Sequence, residues 1–419
     1  IRNILLMIFF VYNNVYKIYS RKGETQLLKQ SIIKRGNEIS HYLIKIRRDL
    51  HRTPELAMSE FVTKDKIKKY LDEIGIDYIE FEHHRGIMAY IYKKNAKTTI
   101  GIRGDIDALP IQEVKESEYK SQNDGIMHAC GHDAHTTMLI GACKLLYEIK
   151  DELNVNIKFF FEPAEEEGGG AKFFIQDGLM ENPKVEYMFG AHVQGYLEVG
   201  TIESKYGTLN ASADSIWIDV KGKRGHGAYP QNGIDALVAA AQIITSLQSI
   251  ISRNLAPHEM GVLTLGKIQG GDAGNVICDE VKIDGTLRTL DKKQKEFMIQ
   301  RATEIIENTA AAYRCKAKLT VEKDGYNPLK NDRELIDIVK NNAEEFLGKG
   351  SFIFKENPSM GGEDFSFFVE NCKGAFFHLG CGNKEKKITS LIHTEDFDID
   401  ERCLSIGAIM HVLNVLSFN

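Results

Sequence analysis

The chain contains no CxxC pair, no dense Lys/Arg block, no low-complexity tract and no internal repeat. Its seven cysteines (130, 143, 278, 315, 372, 381 and 403) are scattered over the sequence. That spacing excludes a small disulfide-stapled scaffold and suits a reducing compartment, where most cysteines are small buried hydrophobes. The net charge of −6 and the missing basic-aromatic stripe argue against a nucleic-acid surface. The longest apolar run near the start, "ILLMIFFVY" (4–12), has nine residues, against the ~20 a membrane-spanning helix needs. Arg2 precedes it, as in a signal peptide, but no small-residue cleavage site follows. The reading is an N-terminal extension or leader over 1–36 and a cytoplasmic location, with secretion or anchoring through 4–12 as the weaker alternative.

With 419 residues, 43% of them hydrophobic and 27% charged, the chain has the make-up of a soluble globular protein. From residue 37, "NEISHYLIKIRRDLHRTPEL" and "SEFVTKDKIKKYLDEIGI" carry helical periodicity, and Gly75 ends the second helix. Apolar runs of strand type follow at 86–92, 98–107, 155–166 and 186–193, and "HTTMLIGACKLLYEI" (135–149) reads as a helix that is apolar nearly all round. Alternating strands and helices predict an α/β fold whose mostly parallel sheet is flanked by helices. Near residue 206 the pattern changes to strands with two long helices, which predicts an inserted α+β domain over 206–323. The catalytic part then occupies 37–205 and 324–419.

The polar clusters come directly after the apolar runs: Asp105 and Asp107 after "TTIGIRG", Glu165 and Glu166 after "IKFFFEPA", His192 after "YMFGA". Ligand sites in open α/β sheets form at the carboxyl ends of strands, so these residues are expected to converge. "HACGHDAH" (128–135) adds Cys130 and His132 just before a helix. Taken alone, this stretch reads three ways: a polar capping turn, a Cys–His nucleophile pair, or metal ligands. Glu-Glu alone is most often a solvated turn, and His192 or His393 alone is most often structural. Their conjunction at strand ends favours a metal. Of two adjacent carboxylates, one can bind metal while its neighbour takes a proton from water. Asp105 and Asp107 can orient an imidazole ligand from behind, or else cap a turn that Pro110 stops. The glycines at 168–170 lack the GK[ST] ending of a phosphate loop and read as a turn.

"RRDLHRTPEL", "RGDIDALPI", "MHACGHDAHTTMLIGA", "EPAEE", "GAHV", "GHGAYP", "GTLRT", "GGEDFSFF" and "IHTEDFD" occur in that order. On these motifs the chain resembles the amidohydrolase branch of the aminoacylase/carboxypeptidase metallopeptidases. That branch includes hippurate hydrolases, N-acetyldiaminopimelate deacetylases and auxin–amino acid conjugate hydrolases. The resemblance spans roughly 37–415 and implies a dinuclear metal site, with the inserted domain as lid or dimerisation domain. It makes Cys130 the bridging ligand, completed by His132, Glu166, His192 and His393, and makes Glu165 the general base. Asp107 becomes the acid that orients a ligand, and Asp105 stands behind it. His226 is implied to reach the partner subunit's active site and polarise the scissile carbonyl. Asn275 and Arg288 are implied to hold the substrate carboxylate.

The implied reaction is hydrolysis of N-acyl amino acids by a homodimer or homotetramer. Zinc suits thiolate and imidazole ligands best, and manganese or cobalt are the alternatives. The rival readings are a metallo-dipeptidase or carboxypeptidase and a non-catalytic acyl-amino acid binder. The Cys-x-His pair favours the amidohydrolase, and the retained Glu165 disfavours a binder. Three departures bear on substrate preference. Glu162 stands where the family often has Gln, adding negative charge near the site. Gln231 stands for a common His, and Cys278 for a common Pro.

Overall fold

The computed structural model describes residue 23 and residues 25–419, so residues 4–12 lie outside it. Two compact units are present. The first takes in the described residues up to Ser204 together with Asn331–Lys355 and Phe368–Asn419. The second comprises Lys205–Lys330 and Glu356–Phe367. Glu356–Phe367, which the sequence reading assigned to the returning catalytic part, groups with the second unit.

The first unit is built on an eight-stranded sheet. Its four central strands run in the spatial order Asn156–Glu162, Thr99–Asp105, Tyr187–Glu198, Lys373–Gly382 and are mutually parallel. The sheet as a whole is mixed. Ile87–Ile91 and Tyr78–Glu80 add an antiparallel edge on one side. Ile202–Ser204 pairs antiparallel on the other side and carries Phe352–Phe354 parallel to itself.

Every residue of Thr99–Asp105 and of Asn156–Glu162 is buried. A strand covered on both faces has no reason to alternate, which explains the unbroken Phe159-Phe160-Phe161 run. Each of these rings contributes ~1.5–3 kcal/mol by leaving water. The helix His132–Glu148 is buried on nearly all sides, packed by Ser40–His51, Arg402–Leu416 and the Thr99–Asp105 strand. These contacts fix the N-terminus of that helix, and hence "HACGHDAH", at the carboxyl end of the central strands.

The second unit has an antiparallel four-stranded sheet, ordered Gly261–Gly270, Glu280–Thr289, Asp214–Lys221, Lys316–Val321. Asp214–Lys221 alternates strictly, with Ile216, Ile218 and Val220 inward. Helices Ala236–Leu247 and Lys292–Ala312 cover that apolar face. Asp235 and Asp291 cap them by accepting amide hydrogen bonds in the first turn. The first of these helices is exposed at Leu237 (48%) and Val238 (46%), so part of its apolar surface has no cover within the unit.

Candidate metal centre

The first unit gathers Cys130, His132, Glu165, Glu166, His192 and His393 from four separate segments. Cys130 Sγ lies 3.2 Å from His192 Nε2 and 3.2 Å from His393 Nε2. Glu166 Oε1 is 3.2 Å from His393 Nε2 and 3.8 Å from His132 Nε2. Glu165 Oε2 is 4.0 Å from the same His132 nitrogen. Of these donors His393 is the exposed one, so the cluster opens to solvent on its side.

The local backbone explains the placement. Gly131 sits between Cys130 and His132 with φ of +83°, and a Cβ there would come 2.4 Å from Val193 Cγ2. Only glycine fits, and the turn it makes lets both neighbours face one centre. Glu165 and Glu166 are not on the strand as the sequence suggested. The strand stops at Glu162, and both glutamates occupy the turn after Pro163. Gly170 closes that turn against Pro163, where a Cβ would lie 1.6 Å from the carbonyl oxygen. His192 is likewise inside a strand and not at its end, because Tyr187–Glu198 continues beside Lys373–Gly382. Ala164 (φ 56°) and His393 (φ 64°) adopt the left-handed region without being glycine, a strain typical of functional sites.

The carboxylates behind the donors define their orientation. Asp107 Oδ1 is 3.0 Å from His132 Nδ1, and its Oδ2 accepts the Glu166 backbone N–H at 3.0 Å. One side chain therefore orients two of the donor residues. His192 Nδ1 donates to its neighbour's carbonyl, Val193 O, at 2.7 Å, leaving the Nε2 lone pair toward Cys130. Asp105 bonds Arg103 at 2.6 Å and His135 Nδ1 at 2.6 Å, and His135 Nε2 accepts the Val193 N–H at 2.8 Å.

Sequence reasoning passed over His135. It lies three positions after His132 on one helix and so on the same face, which was the available signal. Glu162 is fully buried and its carboxylate accepts from Arg103, whose guanidinium also donates to Asp105. The negative charge expected near the site is thus shared with Asp105 over one buried guanidinium.

The donor set fits a metal. His132 Nε2 is buried with no hydrogen-bond partner among the described residues. Burial, then Glu166, Glu165 and Asp105, push the Cys130 thiol well above its ordinary range, so only a cation would hold it as thiolate. Burial lowers His132, but Asp105 and Asp107 outweigh it and raise the imidazole to about 10. The same carboxylates that favour a positive ring favour a cation beside it. Burial and neighbouring imidazoles depress His192 well below its usual value and keep it neutral, the form that ligates.

The remaining residues named from sequence lie in the second unit. His226 and Asn275 are adjacent there: Val276 pairs with His226, and Gly227 N–H donates to Asn275 O at 2.7 Å. His226 is exposed, and its Nδ1 accepts the Ala228 N–H at 3.1 Å, so a neutral ring carries its proton on Nε2. Arg288 is half-buried on Glu280–Thr289, with Nε donating to Thr286 Oγ1 at 3.2 Å.

Residues 101–415 match the profile of the peptidase family M20/M25/M40. The chain is 36% identical over 396 residues to an IAA-amino acid hydrolase ILR1-like 4 of Arabidopsis thaliana, covering 94% of this chain and 89% of that protein. It is 39% identical over 362 residues to an N-acetyl-L-cysteine deacetylase of Bacillus subtilis, covering 86% and 84%. Among solved structures it resembles a dinuclear metal-binding peptidase of the M20 family from Bacillus subtilis, with a TM-score of 0.79 and 33% identity. That match covers 91% of this chain and 99% of the other.

Proposed function

The chain belongs to peptidase family M20/M25/M40 and is a metal-dependent amidohydrolase; on that footing we propose that it hydrolyses the amide bond of N-acyl amino acids. We propose Cys130, His132, Glu166, His192 and His393 as the ligands of two divalent ions, with Cys130 between them. Zinc is the preferred metal for this thiolate–imidazole set. The observation that carries the reading is the convergence of Cys130 Sγ on two imidazole nitrogens, each at 3.2 Å, beside the paired glutamates.

Bound here, the two ions would supply Lewis acidity and lower the pKa of water. Glu165 accepts the proton of the attacking water and returns it to the leaving amine. Asp107 keeps His132 and Glu166 in orientation throughout, and Asp105 does the same for His135 and the strand bearing His192. His226 is proposed to reach the partner subunit's active site and support the oxyanion there, a role suited to an exposed imidazole. Asn275 and Arg288 bind the free carboxylate, Arg288 with its two-pronged guanidinium. Assembly as a homodimer or homotetramer is part of the proposal. The exposed Leu237 and Val238 support it, as an apolar surface suited to another copy.

The test is a substrate panel. N-acetyl, N-benzoyl and indoleacetyl amino acids are compared with the same conjugates as methyl esters and with plain dipeptides. Fast release from free-acid conjugates, with the esters slow, supports the reading. Dipeptides as the better substrates would move the enzyme to the dipeptidase class.

A further inference from the structure

Two of the segments carrying the donors are far apart in sequence. One is 128–135, with Cys130 and His132; the other is 391–400, with His393. A backbone hydrogen bond joins them directly, His393 N–H to Ala129 O at 2.8 Å. Behind it lies a second connection made by a residue from neither segment.

Arg47, on the helix Ser40–His51, has no exposed surface. Its Nε donates to Asp133 Oδ2 at 2.8 Å. Its Nη2 lies 3.3 Å from Asp398 Oδ1. One guanidinium thus grips both segments, one residue beyond His132 and five beyond His393. Its Nη2 also lies 3.3 Å from His51 Nδ1, and its Nη1 is buried without a hydrogen-bond partner among the described residues.

The surroundings hold this pairing in place. His51 Nδ1 donates to the same Asp133 oxygen at 2.7 Å, and Asp133 Oδ1 accepts the Ala134 N–H at 2.9 Å. Asp398 is also held by Lys115 and by Tyr119 Oη at 3.0 Å. The Tyr119 ring lies 4.8 Å from the guanidinium carbon.

We propose that Arg47 is a positioning residue for the metal pair: it straps the Cys130/His132 segment to the His393 segment through Asp133 and Asp398. The proposal rests on the reading of those side chains as ligands. A single ammonium cannot reproduce the span, because the two carboxylates are addressed by different nitrogens of a planar fork. Residues that orient metal-binding segments from behind alter affinity as well as fold.

The experiment uses the full chain, stripped of metal and titrated with Zn(II) against a chromophoric chelator. Wild type, Arg47→Lys, Arg47→Met and Asp398→Asn are compared. Circular dichroism and cooperative unfolding of each apoprotein verify folding first. The expected result is a folded Arg47→Lys apoprotein whose zinc affinity falls ~10–100-fold for at least one ion, with a smaller loss for Asp398→Asn. With Co(II) in place of zinc, the thiolate charge-transfer band of Cys130 should weaken or shift in both variants. If Arg47→Met does not fold, the other two variants decide. Folded variants with wild-type affinity and an unchanged Co(II) spectrum would overturn the strap while leaving the metal site intact. A wild-type protein that takes up no metal would overturn the site itself, and the strap with it.

Discussion

Asp107 Oδ1 stands 3.0 Å from His132 Nδ1, while the opposite His132 nitrogen is buried and has no hydrogen-bond partner among the described residues. The carboxylate fixes which nitrogen carries the proton and so aims the other as a lone-pair donor. Asp107→Asn removes the acceptor for that proton. We expect metal affinity to fall ~10–100-fold while the protein stays folded. Chelator competition measures it, and unchanged affinity would show that His132 needs no such support.

Glu165 is assigned to the proton and not to the metal. Glu165→Gln should therefore keep its metal content while turnover falls ~100–10,000-fold. Elemental analysis alongside amine release checks both halves. A variant with near-normal rate would remove Glu165 from the mechanism.

Cys130→Ser replaces the proposed soft ligand and should lose metal as well as activity. The wild-type thiol must give up its proton on metal binding, because burial and the neighbouring carboxylates keep it protonated otherwise. Proton release measured by calorimetry in two buffers should thus shrink in the variant. Equal release from both proteins would show that Cys130 is not deprotonated by metal.

Glu60 gives a pH-dependent prediction for the metal-free protein. Its Oε1 accepts the Ala164 N–H at 2.9 Å, directly before the Glu165 turn. Burial, then Asp107, push this carboxyl up to about 7 from 4.5. The folded state holds the proton to higher pH than the unfolded chain does. This contribution to stability is fully present below pH 4.5 and is lost as pH rises through about 7. Glu60→Gln should match wild type at pH 4 and exceed it above pH 8, by roughly 3 kcal/mol. Urea unfolding across that range reads it, and stability curves that stay parallel would contradict it.

Much of the first unit was legible because its signals are local. The apolar runs inside the strands Thr99–Asp105 and Asn156–Glu162 and the apolar stretch of the helix starting at His132 stand out in sequence. The polar residues after them are displaced into turns only slightly, as with Glu165 and Glu166. What was not legible depends on contacts between distant segments. Glu162 reads as an unpaired charge near the site until Arg103 is placed beside it from the neighbouring strand. Arg47 and Asp398 are separated by most of the chain. Their one local trace is that Arg47 and His51 share the buried face of their helix with Leu43, Ile46 and Leu50. Glu356–Phe367 groups with the second unit by tertiary contacts alone, and nothing in its composition marks that.

The most direct test of the account joins metal content to hydrolysis in one preparation. Bound metal is measured by elemental analysis, and amine release from N-acyl amino acids is followed before chelation, after it and after metal is restored. The account predicts about two ions per chain, release abolished by the chelator, and recovery on readdition. A chain that hydrolyses the conjugates equally well without metal, or that carries a full complement of metal and releases no amine from any conjugate, would contradict it.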